Sequence, residues 1–383
     1  VKDKQIGHRI VPIVPDEART FGMDGLFKVA GIYSPEGQKY RPVDADSLLP
    51  YREAADGQIL QEGICEVGAM ASFMAAGSAY AVHGLPMIPF YIFYSMFGFQ
   101  RVGDMIWSCG DMMCKGFLLG GTAGRTTLNG EGLQHQDGHS HILASTVPNL
   151  RSYDPAFGFE IAALVREGMH QMYELQEDVF YYLTLYNENY PMPSLAEIAE
   201  QTQVDEGEVL QGVIDGGYCL YRGSDRTECS VHILASGSIM QQALLARDAL
   251  EDLGVGVCIW SITSFVELQR DALACQQHNR DNPQAEARVS RLERMFQGET
   301  GVFIAVTDYM AALAQGVAAW MPPNFEVLGT DGYGLSESRT RLREHFSVDA
   351  MAVAEGALSA LYRHGLLDQN RFESAMHGVR CSK

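Results

Sequence analysis

Short apolar runs alternate with amphipathic stretches along most of this chain. Residues 9–14 (R-I-V-P-I-V) stop at Pro15-Asp16-Glu17, the pattern of a buried strand whose end presents acids. Residues 57–81 read as a loop and then a helix rich in Ala, Gly and Met. Residues 87–94 read as an aromatic strand, and 101–117 has helical spacing. The stretch 120–132 is too Gly-rich for a regular element and too specific in its polar groups for a spacer. Strands are expected at 150–153 and 179–186, with a helix at 155–173 between them. The pattern weakens over 187–228, where Pro191 and Pro193 precede an acidic amphipathic piece that reads as a connector. A second series follows, with strands at 229–235, 255–262, 302–306 and 325–328. A helix opens at Gly237-Ser238, and the last long helix is expected at 349–364. Strands alternating with helices predict an α/β fold in two domains with mostly parallel sheets.

Composition sharpens this picture. The chain has 383 residues, 28 Lys+Arg against 48 Asp+Glu and a formal charge of -20, with 46% hydrophobic residues. That supports packed cores and carries no disorder signature. The acidity argues against a nucleic-acid partner and against docking on an anionic membrane. Residues 67–100 contain no Asp, Glu, Lys or Arg and are long enough to span a bilayer. Yet His83-Gly84-Leu85-Pro86 and Pro89 cut the run in two, which suits a buried α/β core and not a membrane helix. The eight cysteines form no C-x-x-C and read as reduced core thiols of a cytoplasmic protein. Residue 1 is Val, in the polar run Val1-Lys2-Asp3-Lys4, which reads as part of something longer.

Three constellations could carry chemistry. In E-G-I-C-E-V-G-A-M (62–70), Glu66 opens a helix and the uncharged run. It is either a desolvated functional carboxylate or an ordinary acid at the positive end of a helix dipole. In L-Q-H-Q-D-G-H-S-H (133–141), His135 and His139 have a spacing that suits a metal on one helix face. Gly138 between them, with Gly130 and Gly132 upstream, equally suits a loop of polar groups around an organic ligand or a set of structural histidines. The aromatic run 90–101 reads as core, but Tyr94 and Phe97 fall at or just past the strand's end, where ligands bind in parallel sheets. There is no Ser-His-Asp elbow, no G-x-x-x-x-G-K-[ST] and no G-x-G-x-x-G.

Three segments in this order, E-G-I-C-E-V-G-A-M, I-P-F-Y-I-F-Y-S-M-F-G-F-Q-R (88–101) and G-R-T-T-L-N-G-E-G-L-Q-H-Q-D-G-H-S-H (124–141), resemble the homodimeric bacterial pyruvate dehydrogenase family. So do P-D-E-A-R-T-F-G-M (15–23), Y-N-E-N-Y (186–190), S-I-T-S-F (261–265), T-D-Y-M (307–310) and L-G-T-D-G-Y-G (328–334). The resemblance implies two transketolase-like domains: a pyrimidine-binding middle domain at 1–193 lacking its first helix, a connector at 194–228 and a C-terminal domain at 229–383. It implies thiamine diphosphate as cofactor. Magnesium and the diphosphate would be held by an N-terminal domain absent from these residues.

The same resemblance assigns roles by position. Glu66 matches the glutamate that hydrogen-bonds the aminopyrimidine, Phe97 the aromatic that stacks on it, and Ile64 the apolar residue that supports the bent cofactor. Tyr94 and His135 match groups that contact the substrate-derived part. Asp16 and Glu17 match an acidic pair beside the cofactor, with Glu131 a weaker match. Cys65 stands where many members have Asn, and Gln136 where an acid is frequent. The implied activity is oxidative decarboxylation of pyruvate and acetylation of a lipoyl group, in a homodimer bound to the dihydrolipoyl acetyltransferase component. The chain alone is expected to be inactive, and no protein-bound metal is expected in the histidine loop. The alternatives are another transketolase-type thiamine enzyme, a non-catalytic assembly module, and a metal hydrolase built on His135, His139 and Asp137.

Overall fold

The computed structural model describes residues 1–15, 18–129, 131–223 and 230–381. Asp16 and Glu17, and Cys229 at the start of one expected strand, lie outside the described residues. The chain divides into two compact units. The first comprises Val1–Gly121, Leu143–Arg151 and Gly168–Thr184; the second comprises Thr122–Ile142, Ser152–Glu167 and Leu185–Lys383.

The first unit is built on a six-stranded sheet in the order Leu60–Gln61, Ile10–Val14, Ile88–Tyr94, Phe117–Gly121, Phe180–Thr184, Leu150–Tyr153. Ile10–Val14 runs parallel to Ile88–Tyr94, which is in turn parallel to Phe117–Gly121, and that strand is parallel to Phe180–Thr184. Tyr91, Phe93, Phe117, Leu118, Tyr181 and Tyr182 are buried, because a central parallel strand has both faces covered. The helix Glu66–His83 packs beside this sheet. It starts where Cys65 Sγ accepts the Gly68 N–H at 3.4 Å, and it ends at Gly84 in the left-handed conformation. Its low side-chain bulk is used at Gly77, whose carbonyl accepts the Lys115 N–H at 3.0 Å.

Two elements here differ from the sequence expectation. The aromatic run changes period at Tyr94: Ser95, Gly98, Val102, Ile106 and Cys109 are buried at helical spacing, so Ser95–Asp111 is a helix that starts six residues earlier than expected. Phe117–Gly121, assigned in part to a helix and in part to a loop, is a central strand. Five successive apolar or glycine residues carry no alternation, so periodicity does not mark such a strand.

The second unit holds a five-stranded sheet in the order Phe325–Leu328, Val302–Val306, Val231–Ala235, Val257–Ser261, Tyr218–Arg222. The first four strands run parallel and the last antiparallel. Every residue of the three middle strands is buried. The described part of the stretch read as a connector, 194–223, carries two helices and a strand. Ser194 and Glu197 form a capping box on the helix Leu195–Thr202, Asp205 caps Glu206–Ile214, and Tyr218–Arg222 is the antiparallel edge strand. The helix Ala350–Arg363 matches its expectation closely.

Among the described residues no helix is long and apolar enough to cross a membrane. Cys65, Cys109, Cys114, Cys219 and Cys275 are free thiols, with Cys65 exposed. Cys258 is disulfide-bonded, which corrects the expectation that every cysteine is a reduced core thiol.

A Cβ at Gly77 would lie 2.8 Å from the Lys115 carbonyl oxygen, closer than real Cβ atoms approach. Gly77→Ala gains up to about 1 kcal/mol of helix propensity. Overpacking against backbone that cannot step aside costs roughly 1–3 kcal/mol. We expect net destabilisation, read as a lower urea midpoint at unchanged slope; an equal or higher midpoint contradicts this close approach.

Candidate functional site

In the first unit, the polar groups collect where strands end. Gln61 ends one short strand, and the Glu62–Cys65 turn leads into the helix headed by Glu66. Tyr94 ends another strand, and the next helix carries Phe97 and Arg101 one turn apart on one face. The Glu66 carboxylate is 10% exposed and accepts a hydrogen bond from Arg101 Nη1 at 2.7 Å. The Arg101 guanidinium carbon sits 4.1 Å from the Phe97 ring centroid. Phe97 meets Tyr94 edge-on at 6.3 Å, and Tyr94 meets Phe21 at 5.1 Å. Tyr91 donates to the Glu66 carbonyl at 3.4 Å. Burial, reinforced by the Glu66 charge, pushes the Tyr91 hydroxyl well above the ordinary tyrosine range. A buried carboxylate therefore faces a planar cation that also stacks on an aromatic ring.

Glu66, Phe97 and Tyr94 thus fall into one cluster, as their places in the motifs suggest. Ile64 is 80% exposed and does not pack as an apolar support would. Arg101 was given no role by the sequence reading, which began a helix at that residue. Its signal is the i, i+4 spacing to Phe97, readable once the helix is known to begin at Ser95.

The histidine loop belongs to the second unit. His135 closes the one-turn 3-10 helix Leu133–His135, its N–H bonded to the Gly132 carbonyl at 3.0 Å. Its Nδ1 lies 3.8 Å from Glu131 Oε2. Asp137 acts as a cap: its Oδ1 accepts the N–H groups of His139 and Ser140, each at 3.0 Å, and Ser140 Oγ donates to Oδ2. His141 is buried, with Nδ1 2.7 Å from Ser152 Oγ. Burial pulls its pKa below the ordinary histidine value, while Asp154 and Asp137 act in the opposite sense. Asp137 holds the start of the helix Ser140–Ser145, and His141 is packed against Ser152. Among the described residues, no group of three His, Cys, Asp or Glu side chains is arranged to hold a metal.

The fold and its strand-end polar groups define the class: two α/β units of the kind found in transketolases. Solved structures support this at the level of fold. A transketolase from Leishmania mexicana superposes with a TM-score of 0.65 at 16% identity over 93% of this chain and 43% of its own. A split gene transketolase, described as an inactive beta4 tetramer, gives 0.59 at 17% identity over 94% of both chains. The model of the pyruvate dehydrogenase E1 component middle domain matches residues 1–193, and that of the transketolase-like C-terminal domain matches 216–349. The chain belongs to the pyruvate dehydrogenase E1 component family. It is 52% identical over 367 residues to the pyruvate dehydrogenase E1 component of Pseudomonas aeruginosa and 48% identical over 372 residues to that of Escherichia coli K12. It spans about two fifths of the length of either relative (40%) while 95–96% of its own residues align.

The Glu66–Arg101 pair is measurable by a double-mutant cycle with Glu66→Gln and Arg101→Met. A coupling of about 1 kcal/mol is expected, since one partner is buried and the other half-exposed. Strict additivity would mean that the two side chains do not interact in solution.

Proposed function

We propose that this chain supplies the pyrimidine-binding and substrate-facing part of a thiamine diphosphate-dependent pyruvate dehydrogenase. The observation that carries the reading is the position of the Arg101 guanidinium. It is a flat group that donates to the Glu66 carboxylate and lies on the Phe97 ring. An aminopyrimidine needs the same two handles: a buried acid at a ring nitrogen and an aromatic face to stack on. The donor set therefore fits that ring. In this reading residues 1–193 form the pyrimidine-binding domain and 229–383 the C-terminal domain.

The bound cofactor would supply the electron sink for decarboxylation. This chain's residues do the rest. Glu66 holds a proton at the ring nitrogen and so sets the basicity of the exocyclic amine. Phe97 packs one ring face, and Arg101 moves off it into solvent. Ile64 is assigned to support the bent shape of the cofactor. Tyr94 and His135 meet the substrate-derived carboxylate or carbonyl, where an imidazole donates a hydrogen bond to developing charge. Asp16 and Glu17 are assigned to an acidic pair beside the cofactor. Magnesium and the diphosphate would be held by a partner region that is not in these residues.

The reading carries a homodimer and a cytoplasmic location. It also carries transfer of the acetyl group to the lipoyl group of the dihydrolipoyl acetyltransferase component. The exposed Val67 and Val82 on the Glu66–His83 helix, with Trp107 on the next helix, are apolar positions that a partner would cover. The net charge of -20 suits a basic docking surface on the acetyltransferase. A transketolase-type sugar transferase is the nearer rival, disfavoured by identity of about half to the pyruvate dehydrogenase E1 components against 15–18% to the transketolases.

In a chimera joining this chain to the remaining residues of the Escherichia coli relative, Glu66→Ala should slow deuterium exchange at the thiazolium carbon by roughly 100-fold or more, the size of a lost acid–base contribution. Unchanged exchange would refute the assignment of Glu66. The 383-residue chain alone, given pyruvate, thiamine diphosphate and magnesium, should release no carbon dioxide above background. Steady turnover by it would overturn the division of labour proposed here.

A further inference from the structure

Asp308, from the T-D-Y-M segment, is used by no role above. It lies just past the strand Val302–Val306 and is fully buried. Its carboxylate accepts three hydrogen bonds from the start of the histidine loop: the Thr126 N–H at 2.9 Å, the Thr126 hydroxyl at 2.7 Å and the Thr127 hydroxyl at 2.6 Å. Its main-chain carbonyl accepts the Arg125 N–H at 3.1 Å and the Thr330 hydroxyl at 2.9 Å. Gly124 has φ +86, and a Cβ there would collide with Asp308 Oδ2, so the loop approaches the carboxylate as closely as a glycine permits.

The far end of the loop is held by the same strand ends. Met310 donates its N–H to the Gly138 carbonyl at 2.8 Å. The Gln136 amide donates to the Leu128 carbonyl at 3.0 Å, and its oxygen accepts the Leu335 N–H at 2.7 Å. Ser336 donates to the Glu131 carbonyl at 2.8 Å. The His135 turn is therefore suspended between two fastened ends. Burial pushes the Asp308 carboxyl up to about 6, and the Thr127 and Thr126 donors and the Arg343 charge act in the opposite sense. An apolar contact could fill the same space, but only directional acceptors fix the rotation of the loop backbone.

We infer that Asp308 is the positioning residue for His135: by gripping Thr126 and Thr127 it fixes the loop that presents the imidazole to substrate. The inference rests on the proposed role of His135, and the experiment separates the two. The first arm uses hydrogen–deuterium exchange of the 383-residue chain and reads peptides covering 122–139. Exchange should rise about tenfold or more in Asp308→Ala and by an intermediate factor in Asp308→Asn, which keeps one acceptor. Peptides of the Phe180–Thr184 strand should not change. Unchanged exchange over 122–139 overturns the inference. Where both variants lose their circular dichroism signal, Thr127→Val replaces them, with a several-fold rise expected and no rise overturning it.

The second arm uses the chimera. Asp308→Asn should lower kcat for pyruvate about tenfold while thiazolium exchange, set by Glu66, stays at the wild-type rate. The double variant with His135→Ala should be no slower than His135→Ala alone. Equal loss of kcat and thiazolium exchange, or full additivity, overturns the positioning role. Wild-type kcat in His135→Ala overturns the reading of His135 itself, whatever the loop exchange shows.

Discussion

A parallel strand buried on both faces admits a polar side chain before its end only where that group finds a buried partner, as His232 does at the Thr300 carbonyl, and this constraint arranges both units. All residues of Val231–Ala235, Val257–Ser261 and Val302–Val306 are buried, and the first unit's central strands are nearly as closed. The polar groups of interest therefore sit at or just past carboxyl ends. Tyr94 ends one strand, Thr122 follows Gly121, and Asp154 follows Tyr153. Ser236 follows Ala235, Thr307 and Asp308 follow Val306, and Gly329 and Thr330 follow Leu328. Ligands meet open α/β sheets at that edge because it alone combines backbone ends, helix starts and room for side chains.

Placing polar groups there has a cost that the second unit meets by saturation. Asp154 accepts the Ser236 hydroxyl at 2.6 Å and the Tyr186 hydroxyl, and Tyr186 in turn lies 3.2 Å from the Tyr309 hydroxyl. Glu160, fully buried, accepts the Ala156 and Phe157 N–H groups, the Tyr218 hydroxyl at 2.8 Å and the Ser261 hydroxyl at 2.7 Å. Burial raises the Glu160 carboxyl above its ordinary value even so, and raises the Tyr186 and Tyr218 hydroxyls further. Removing one partner from such a set leaves a desolvated group unpaired, at about 1–3 kcal/mol each.

What the sequence made legible follows the same logic. The place of Glu66 at the head of a helix was readable, because it opens a 34-residue uncharged run (67–100). The antiparallel strand Tyr218–Arg222 was not readable, because an edge strand with Tyr, Cys and Arg shows neither clean alternation nor a long apolar run. Arg101 was hidden by the change of period at Tyr94, where aromatic residues continue while the backbone turns helical. His135 and His139 could not be told from a metal pair by spacing. Nor does spacing report that Asp137 is a cap, since it is one only because Ser140 starts a helix. Asp308 shows the same limit: its partners are 181 and 182 residues away in the chain, a distance no local pattern reports.

The Glu66–Arg101–Phe97 arrangement also sets the terms on which a ligand can enter. Without one, the buried carboxylate is neutralised by Arg101, so the cluster is not left with an unpaired charge. A ligand ring must displace the guanidinium from both the acid and the aromatic face. Arg101 is 47% exposed, so its head returns to water at little cost. The lost ion pair and cation–π contact amount to roughly 1–2 kcal/mol, on the order of tenfold in affinity. A flat group that hydrogen-bonds Glu66 and stacks on Phe97 would recover both interactions at once.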